Sequence, residues 1–420
     1  MHVPGPRPAP FAWGVAAVGL AVLLAGCSLV AAPSVRERVG LATPAAPPSS
    51  TPPTSSSSPG PTTTSPPPSA VPAVSSPFLG RSGTALVVHG APYHAVGVDA
   101  YELATDYGQN VGCGGMLSDA ALESSFATLP SGTLVRMWGF QGSMATNPAT
   151  RTLNWAPLDR VVAAASRHGL RLIVSLTNQS GDCDDGHWKD VAWYEGGYRT
   201  LYPGDGTTIL TMSYWDWVQQ IVTRYRNSPA IGMWELVNEP EASTCAPGYS
   251  RGYCMGHLSC PDESVSAAAL RSFYDTVGAE VKALDPNHLV ESGSLGGDQC
   301  GWSGADAAYI DASPGIDVTS YHDYTADEVI TPELQDRIDE SQALQKPLIV
   351  GELGVAAGGD GTACPTLAGR QTLVRTKVDA MLGGGASAVL FWDWVPNPAT
   401  TCTYDIGAGD PVLGLLRASG

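Results

Sequence analysis

The sequence predicts an α/β chain folded as a single (β/α)8 barrel with a short N-terminal hairpin. Two observations carry this. Apolar runs of strand length alternate with helical patterns until eight strands are counted, which argues for a parallel sheet with crossovers. No Gly-x-Gly-x-x-Gly follows the first strand and no Walker-type loop is present, which disfavours an open nucleotide-binding sheet.

The elements follow in order. Thr84 to Val96 reads as a hairpin turning at Gly90-Ala91, and Val96 to Ala100 is the first barrel strand. Ser118 to Thr128 is helical, with Ser118 as its cap, before the strand Leu134 to Trp138. Leu158 to His168 has helical apolar spacing and ends at Gly169. Leu170 to Leu176 is the third strand. A helix from about Ser213 to Tyr225 precedes Ile231 to Val237, and Ser264 to Leu284 precedes Leu289 to Ser292. Ile316 to Tyr321 comes next. Pro332 to Leu344 precedes Leu348 to Val350, and Leu367 to Leu382 precedes Ala388 to Phe391.

The N-terminus reads as an export signal. Arg7 supplies a positive start and Phe11 to Leu24 an uncharged apolar run too short for a comfortable membrane span. Leu24-Ala25-Gly26-Cys27 then matches the bacterial lipobox, with Cys27 as the lipidated thiol; an uncleaved signal anchor is the weaker alternative. Residues 28–77 are expected to be a disordered tether, since from residue 42 they are nearly all Pro, Ser, Thr and Ala. In polyproline geometry the tether reaches on the order of 150 Å. The folded catalytic domain is expected over 78–420.

With Cys27 set aside, eight of the nine cysteines remain, an even set that reads as disulfides in an exported chain. No Cys-x-x-Cys pair supports zinc. A net charge of −18 argues against nucleic acid and anionic glycans as partners and is compatible with neutral polysaccharide.

Chemistry in such barrels sits at the C-terminal ends of the strands. The fourth strand reads Trp234-Glu-Leu-Val-Asn238-Glu239-Pro240, and Pro240 stops it, leaving Asn238 and Glu239 at the mouth. The seventh, Pro347-Leu-Ile-Val-Gly351-Glu352-Leu-Gly354, brings Glu352 to the same rim. Two carboxylates facing one cavity at about 5–5.5 Å are the machinery of retaining glycoside hydrolysis. Trp234 to Pro240 resembles the acid/base signature of clan A glycoside hydrolases, family 5 in particular. The resemblance extends to Arg136 at the end of the second strand, His322-Asp-Tyr324 after the sixth and Trp392 at the end of the eighth.

It implies that Glu239 is the acid/base, with a pKa raised by repulsion from Glu352, and that Glu352 is an ionised nucleophile supported by Arg136 and Tyr324. Asn238 would bind the sugar 2-hydroxyl, His322 the acid/base or the sugar, and Trp392 would floor the subsite of the attacked ring. Asn178 in Leu176-Thr-Asn178-Gln, with Val135 to Phe140 and Gly97 to Tyr101, is most similar to fungal and plant endo-β-1,4-mannanases. β-1,4-Mannan is therefore the first expected substrate and β-glucan the second. Glu241 stands where those enzymes carry Arg, which leaves another β-mannoside or a wall glycan open. The alternative is a non-catalytic carbohydrate-binding envelope lipoprotein. A monomer held to the outer face of the membrane through lipid on Cys27, or secreted, is expected, without cofactor or metal.

Other residues have plainer expectations. Period-two alternation puts Glu235 on the Met233 and Val237 face below the rim, ion-paired with Arg136. Glu241 is expected to be a solvated loop residue. Trp215, Trp217 and Trp234 are expected in the core, while Trp138, Trp188, Trp193 and Trp302 are even candidates for sugar contact. His168 and His288 are expected to be structural. Asp182, Asp184 and Asp185 are read as a solvated acidic loop in preference to a calcium site.

Overall fold

The computed structural model describes residues 76–104, 117–147, 152–202, 210–245, 258–260, 262–297, 299–326, 328–358 and 364–419. The expected signal, Cys27 and the tether up to residue 75 lie outside the described residues, as do Cys113 and Cys254. Among the described residues no helix is long and apolar enough to cross a membrane.

Gly80–Ser82, Ala85–Val88 and Ala91–Asp99 pair antiparallel at the entrance to the fold. The turn falls one residue earlier than expected, at His89-Gly90, because both residues adopt positive φ (51° and 78°) as a tight hairpin turn requires. The long third strand then becomes the first strand of the barrel. The others are Leu134–Trp138, Arg171–Ser175, Ile231–Glu235, Leu289–Glu291, Thr319–Asp323, Leu348–Gly354 and Ala388–Trp392. All neighbours are parallel, and each strand pairs with its predecessor in sequence except across the fifth and sixth. A parallel bridge from Glu291 to Val318 closes that gap.

The helices lie where the apolar spacing places them. Ser118 and Ser213 cap theirs through side-chain oxygens, and Gly169 ends Ala156–His168 in the left-handed region. The expected 264–284 helix is interrupted: a π-helical turn, Tyr274–Gly278, separates Glu263–Phe273 from Ala279–Leu284. Several short elements escaped the sequence reading, two of them part of the barrel. Ala305–Asp311 is a short crossover helix starting at Gly304 without a side-chain cap, and Arg417–Ser419 pairs antiparallel with the first barrel strand.

Alternation along each strand divides the core in two. Leu134, Ile173, Met233, Leu289, Val318, Ile349 and Leu390 point inward, where Leu79, Leu86 and Tyr93 of the hairpin join them at the barrel base. Val135, Val174, Trp234, Val290, Val350 and Val389 point outward against the helices. Each such buried aliphatic contributes about 1.5–3 kcal/mol. Val237 lies in the outer core, not on the Met233 face as expected, because the strand and its alternation end at Glu235. Disulfides Cys260–Cys300 and Cys364–Cys402 close loops of about 40 residues, each worth about 4 kcal/mol by the loop-entropy relation. Cys183 is also disulfide-bonded.

Candidate active site

The site is built on one buried cation. Arg136, inward on the second strand with Leu134, is fully buried. Its Nε and Nη2 reach Glu235 at 2.6 and 2.8 Å, and its Nη1 reaches Glu352 at 2.7 Å. Asp99 and the Asn238 amide oxygen also accept from it. Glu235 takes a further bond from Ser175 at 2.7 Å. Glu235 is thus the buried partner that alternation predicts. Burial pushes its carboxyl up, but Arg136 and Ser175 outweigh that and hold it low.

Glu352 reaches the cavity through a break in register. Ile349 points in and Val350 out, so strict alternation would turn Glu352 toward the helices. The register with the sixth strand slips at this point: Tyr321 faces Val350, but His322 faces Glu352. Gly351 is the extra residue of a bulge, and Glu352 turns inward, 2% exposed. Tyr324 donates to its other oxygen. The flanking glycines make room. A Cβ on Gly351 would lie 2.9 Å from Ser320 Oγ and 3.1 Å from His322 Nε2; one on Gly354 would lie 2.3 Å from Tyr324 Cε1.

Glu239 sits past the end of the fourth strand with φ 51°, a conformation costly for a side-chain-bearing residue. Its loop is held from several directions. Glu239 N–H donates to Gly293 O at 2.8 Å, Gln299 Nε2 to Glu239 O at 3.0 Å, and Trp302 Nε1 to Pro240 O at 2.7 Å. Gln179 bonds both the N–H and the carbonyl of Glu241. His322 Nδ1 lies 2.8 Å from Glu239 Oε1, and an oxygen of Glu239, an oxygen of Glu352 and a nitrogen of His322 all lie within 4.8 Å of one another. Asn238 is aimed by Arg136 and donates to Asn178 Oδ1 at 3.1 Å. Asn178 is thereby placed behind Asn238. Trp392, partly exposed, stacks on Tyr101 at 5.4 Å beside Trp138 and Phe140, forming an aromatic wall.

The acid–base ordering differs from the expectation. Burial pushes both carboxyls up, yet the His322 hydrogen bond and charge, with Arg136, bring Glu239 below its ordinary value. Glu352 is the raised one: burial outweighs His322, Arg136 and Tyr324, and the Glu239 charge adds to it. Sequence reasoning weighed the repulsion between the two glutamates but not the 2.8 Å imidazole contact.

Other expectations separate cleanly. Glu241 is half-buried, not solvated, its backbone clamped by Gln179 and its carboxyl raised by burial. Asp184 and Asp185 are buried: Asp184 accepts from Thr177 and the Gly142 N–H, and Asp185 pairs with Lys189 at 2.6 Å. They brace the loop, so neither the solvated nor the calcium reading holds for them. Trp215, Trp217 and Trp234 are in the core. Trp193 and Trp302 join them there, and Trp188 bonds Ser243, all three nearly inaccessible to ligand. His168 bonds Glu123 and His288 bonds Asp285. The sequence reading missed Asp99, Ser175 and Glu291; each is a polar residue at a strand end, the signal used for Arg136. Of side-chain groups spaced to hold a metal, the described residues offer Glu239-His322-Glu352, already bonded among themselves, and Cys260-Glu263-Cys300, whose thiols form a disulfide.

No family model matches the chain. It is 29% identical over 372 residues to a rice (Oryza sativa subsp. japonica) protein of the mannan endo-1,4-beta-mannosidase series, member 9, covering 77% of this chain and 83% of that one. To mannan endo-1,4-beta-mannosidase F of Aspergillus fumigatus it is 27% identical over 392 residues, 82% and 78% of the two chains. The match to an Aspergillus terreus relative of the same series spans 64% of that protein. Among solved structures, an endo-1,4-beta-mannanase from Rhizomucor miehei superposes with TM-score 0.55 at 21% identity, over 80% of this chain and 96% of that one. A family 5 mannosidase from the same organism gives 0.52 at 17%, over 80% and 95%. At these identities the superpositions speak to the barrel fold.

Proposed function

We propose that this chain, which belongs to the family 5 glycoside hydrolases of clan A, is a retaining enzyme that cleaves β-1,4-mannan, with Glu239 as acid/base and Glu352 as nucleophile. The observation that carries the reading is the approach of the Glu239 and Glu352 carboxylates to within 4.8 Å from the ends of the fourth and seventh strands. That spacing suits the direct attack of a retaining mechanism better than the wider gap, about 6.5–9.5 Å, of an inverting one. The mannan assignment is supported by the names of the relatives and by the resemblance at Arg136 to Phe140.

Arg136 and Tyr324 then stabilise Glu352 as an anion until it bonds the anomeric carbon. Glu239 must carry a proton to the departing oxygen. Glu239's side chain is 33% exposed in the open site; a sugar filling the mouth removes water from it, and desolvation favours the neutral acid. Once Glu352 is esterified its charge is gone, and Glu239 acts as base toward the attacking water. Asn238 meets the 2-hydroxyl, and Trp392 floors the ring. Lipid on Cys27 holds the domain outside the membrane on the 28–77 tether.

The test uses Glu352→Ala with mannan, β-glucan and aryl β-glycosides. Turnover on mannan should vanish, and azide should restore part of it as a product of inverted configuration. Proton NMR of the wild-type reaction should show the β anomer first. Full activity in the variant, or an α anomer first, would remove the mechanism; β-glucan preferred over mannan would remove the substrate.

A further inference from the structure

Beneath the reacting pair lies a carboxyl with no assigned task. Glu291 ends the fifth barrel strand. Leu289 is inward and Val290 outward, so Glu291 points into the barrel, 1% exposed. Its strand register sets it beside Glu235, and its bridge to Val318 sets it beside the sixth strand. Yet it forms no ion pair among the described residues, and neither carboxyl oxygen has a partner in hydrogen-bonding geometry. Among the other buried groups that share that state are Ser320 Oγ and His322 Nε2. Ser320 and His322 are two apart on the sixth strand, hence on one face, and both converge on Gly351. Three unpartnered polar groups therefore line the barrel interior between Glu235, which clamps Arg136, and His322, which bonds Glu239.

We propose that Glu291 is a positioning residue, a neutral carboxylic acid that ties the Arg136–Glu235 clamp to the Ser320–His322 strand. The proposal rests on the retaining reading above. Glu235 and Ser320 are the side chains that face it, so a protonated Glu291 has its hydroxyl placed to donate to Glu235, whose charge Arg136 and Ser175 already hold, and its other oxygen placed to accept from Ser320. The facing groups explain why it keeps its proton. Glu235 on the fourth strand repels a second anion, Ser320 on the sixth offers only a hydroxyl, and Tyr274 behind the fifth is itself neutral. Burial first and the Glu235 charge second push its carboxyl well above the ordinary range, and Arg136, engaged elsewhere, does not reverse this. An ionised Glu291 would compete with Glu352 for Arg136. A neutral one leaves Arg136 aimed at the nucleophile and steadies His322 under the acid.

The test compares Glu291→Gln, which keeps a neutral hydrogen-bonding group, with Glu291→Ala and the volume-filling Glu291→Leu. The Gln variant should keep kcat within about threefold of wild type, while Ala and Leu lose roughly tenfold or more in kcat with KM little changed, the scale of one bond to a charged partner. Stability gives an independent arm. A carboxyl whose folded pKa lies above its unfolded one binds its proton in the native state, so wild-type stability from this group falls as pH rises above the unfolded value. The Tm of Glu291→Gln minus that of wild type should therefore grow from pH 4 to pH 8. Folded Ala or Leu variants with wild-type kcat, a Gln variant as impaired as Ala, or a Tm difference flat with pH would each overturn the proposal. The Tm arm does not depend on catalysis, so its failure is distinguishable from an inverted product, which would instead remove the retaining reading.

Discussion

Gly354 tests whether the fit around Glu352 governs the chemistry. In Gly354→Ala the new methyl would lie 2.3 Å from Tyr324 Cε1 and 2.4 Å from Cδ1. Carbon atoms rest at about 3.5–4.0 Å, so the ring must withdraw by about 1 Å. Tyr404 packs edge-on against that ring at 5.2 Å and limits where it can go. A displacement of this size separates the Tyr324 hydroxyl from Glu352. A hydrogen bond to a charged group contributes about 1.5–3 kcal/mol, or roughly 10- to 150-fold in kcat/KM. Tyr324→Phe removes the same bond while keeping the ring, and its loss should fall in the same range. The double variant should then be little worse than Tyr324→Phe alone, since neighbours acting through one bond are not additive. The assay is kcat/KM on soluble mannan for the four proteins, with circular dichroism confirming folding. Gly354→Ala within about twofold of wild type, or full additivity in the double variant, would refute the reasoning.

Two further outcomes are expected. Asp285 accepts from His288, from Trp234 Nε1 at 2.8 Å and from two backbone N–H groups, and although burial pushes its carboxyl up these bonds hold it below the ordinary range. Its contribution is present above the unfolded carboxylate pKa of about 3.9 and is lost as pH falls through the lower folded value; Asp285→Asn should therefore lower Tm at pH 7, and the gap should close in strong acid, whereas an equal loss at both pH values contradicts the linkage. Cys27→Ser should move the protein from the membrane fraction to the soluble one, and retention in the membrane would count against lipid on Cys27.

The barrel was legible because its signals are local and repeated. Ser118, Ser213 and Gly169 mark helix ends through short-range hydrogen bonds and backbone preference, and the strand runs are too apolar to be loops. The convergence of Arg136, Glu239, His322, Tyr324 and Glu352 was legible for a different reason: a closed barrel brings every strand end to one mouth, so order along the chain becomes position around a ring. What composition does not encode is which side of a loop residue meets the core. Trp193 and Trp302 looked like candidate sugar platforms and are interior pins, Trp302 holding the Pro240 carbonyl. Asp184 and Asp185 looked solvated because acids usually are, yet Thr177, Gly142 and Lys189 satisfy them inside. The protonation order of Glu239 and Glu352 depends on a 2.8 Å contact to His322 across 83 residues, a distance that no spacing in the sequence specifies.

The Gly351-Glu-Leu-Gly354 run therefore has a physical reading beyond its carboxylate. Period-two alternation from Ile349 would send Glu352 outward, away from every partner it needs. The bulge at Gly351 adds the residue that reverses this, and the missing side chain leaves space for Ser320 and His322. The second glycine leaves space for Tyr324. His322 on the sixth strand and Tyr324 just past its end are two residues apart, while the glycines that admit them are three apart on the seventh; the bulge absorbs the difference. The two motifs are thus one device. The sixth strand and the residue that follows it supply the partner of Glu239 and a donor to Glu352, and the seventh supplies Glu352 together with the two gaps into which those side chains fit. A change in either spacing alone would leave Glu352 facing the helices or Tyr324 without room to reach it.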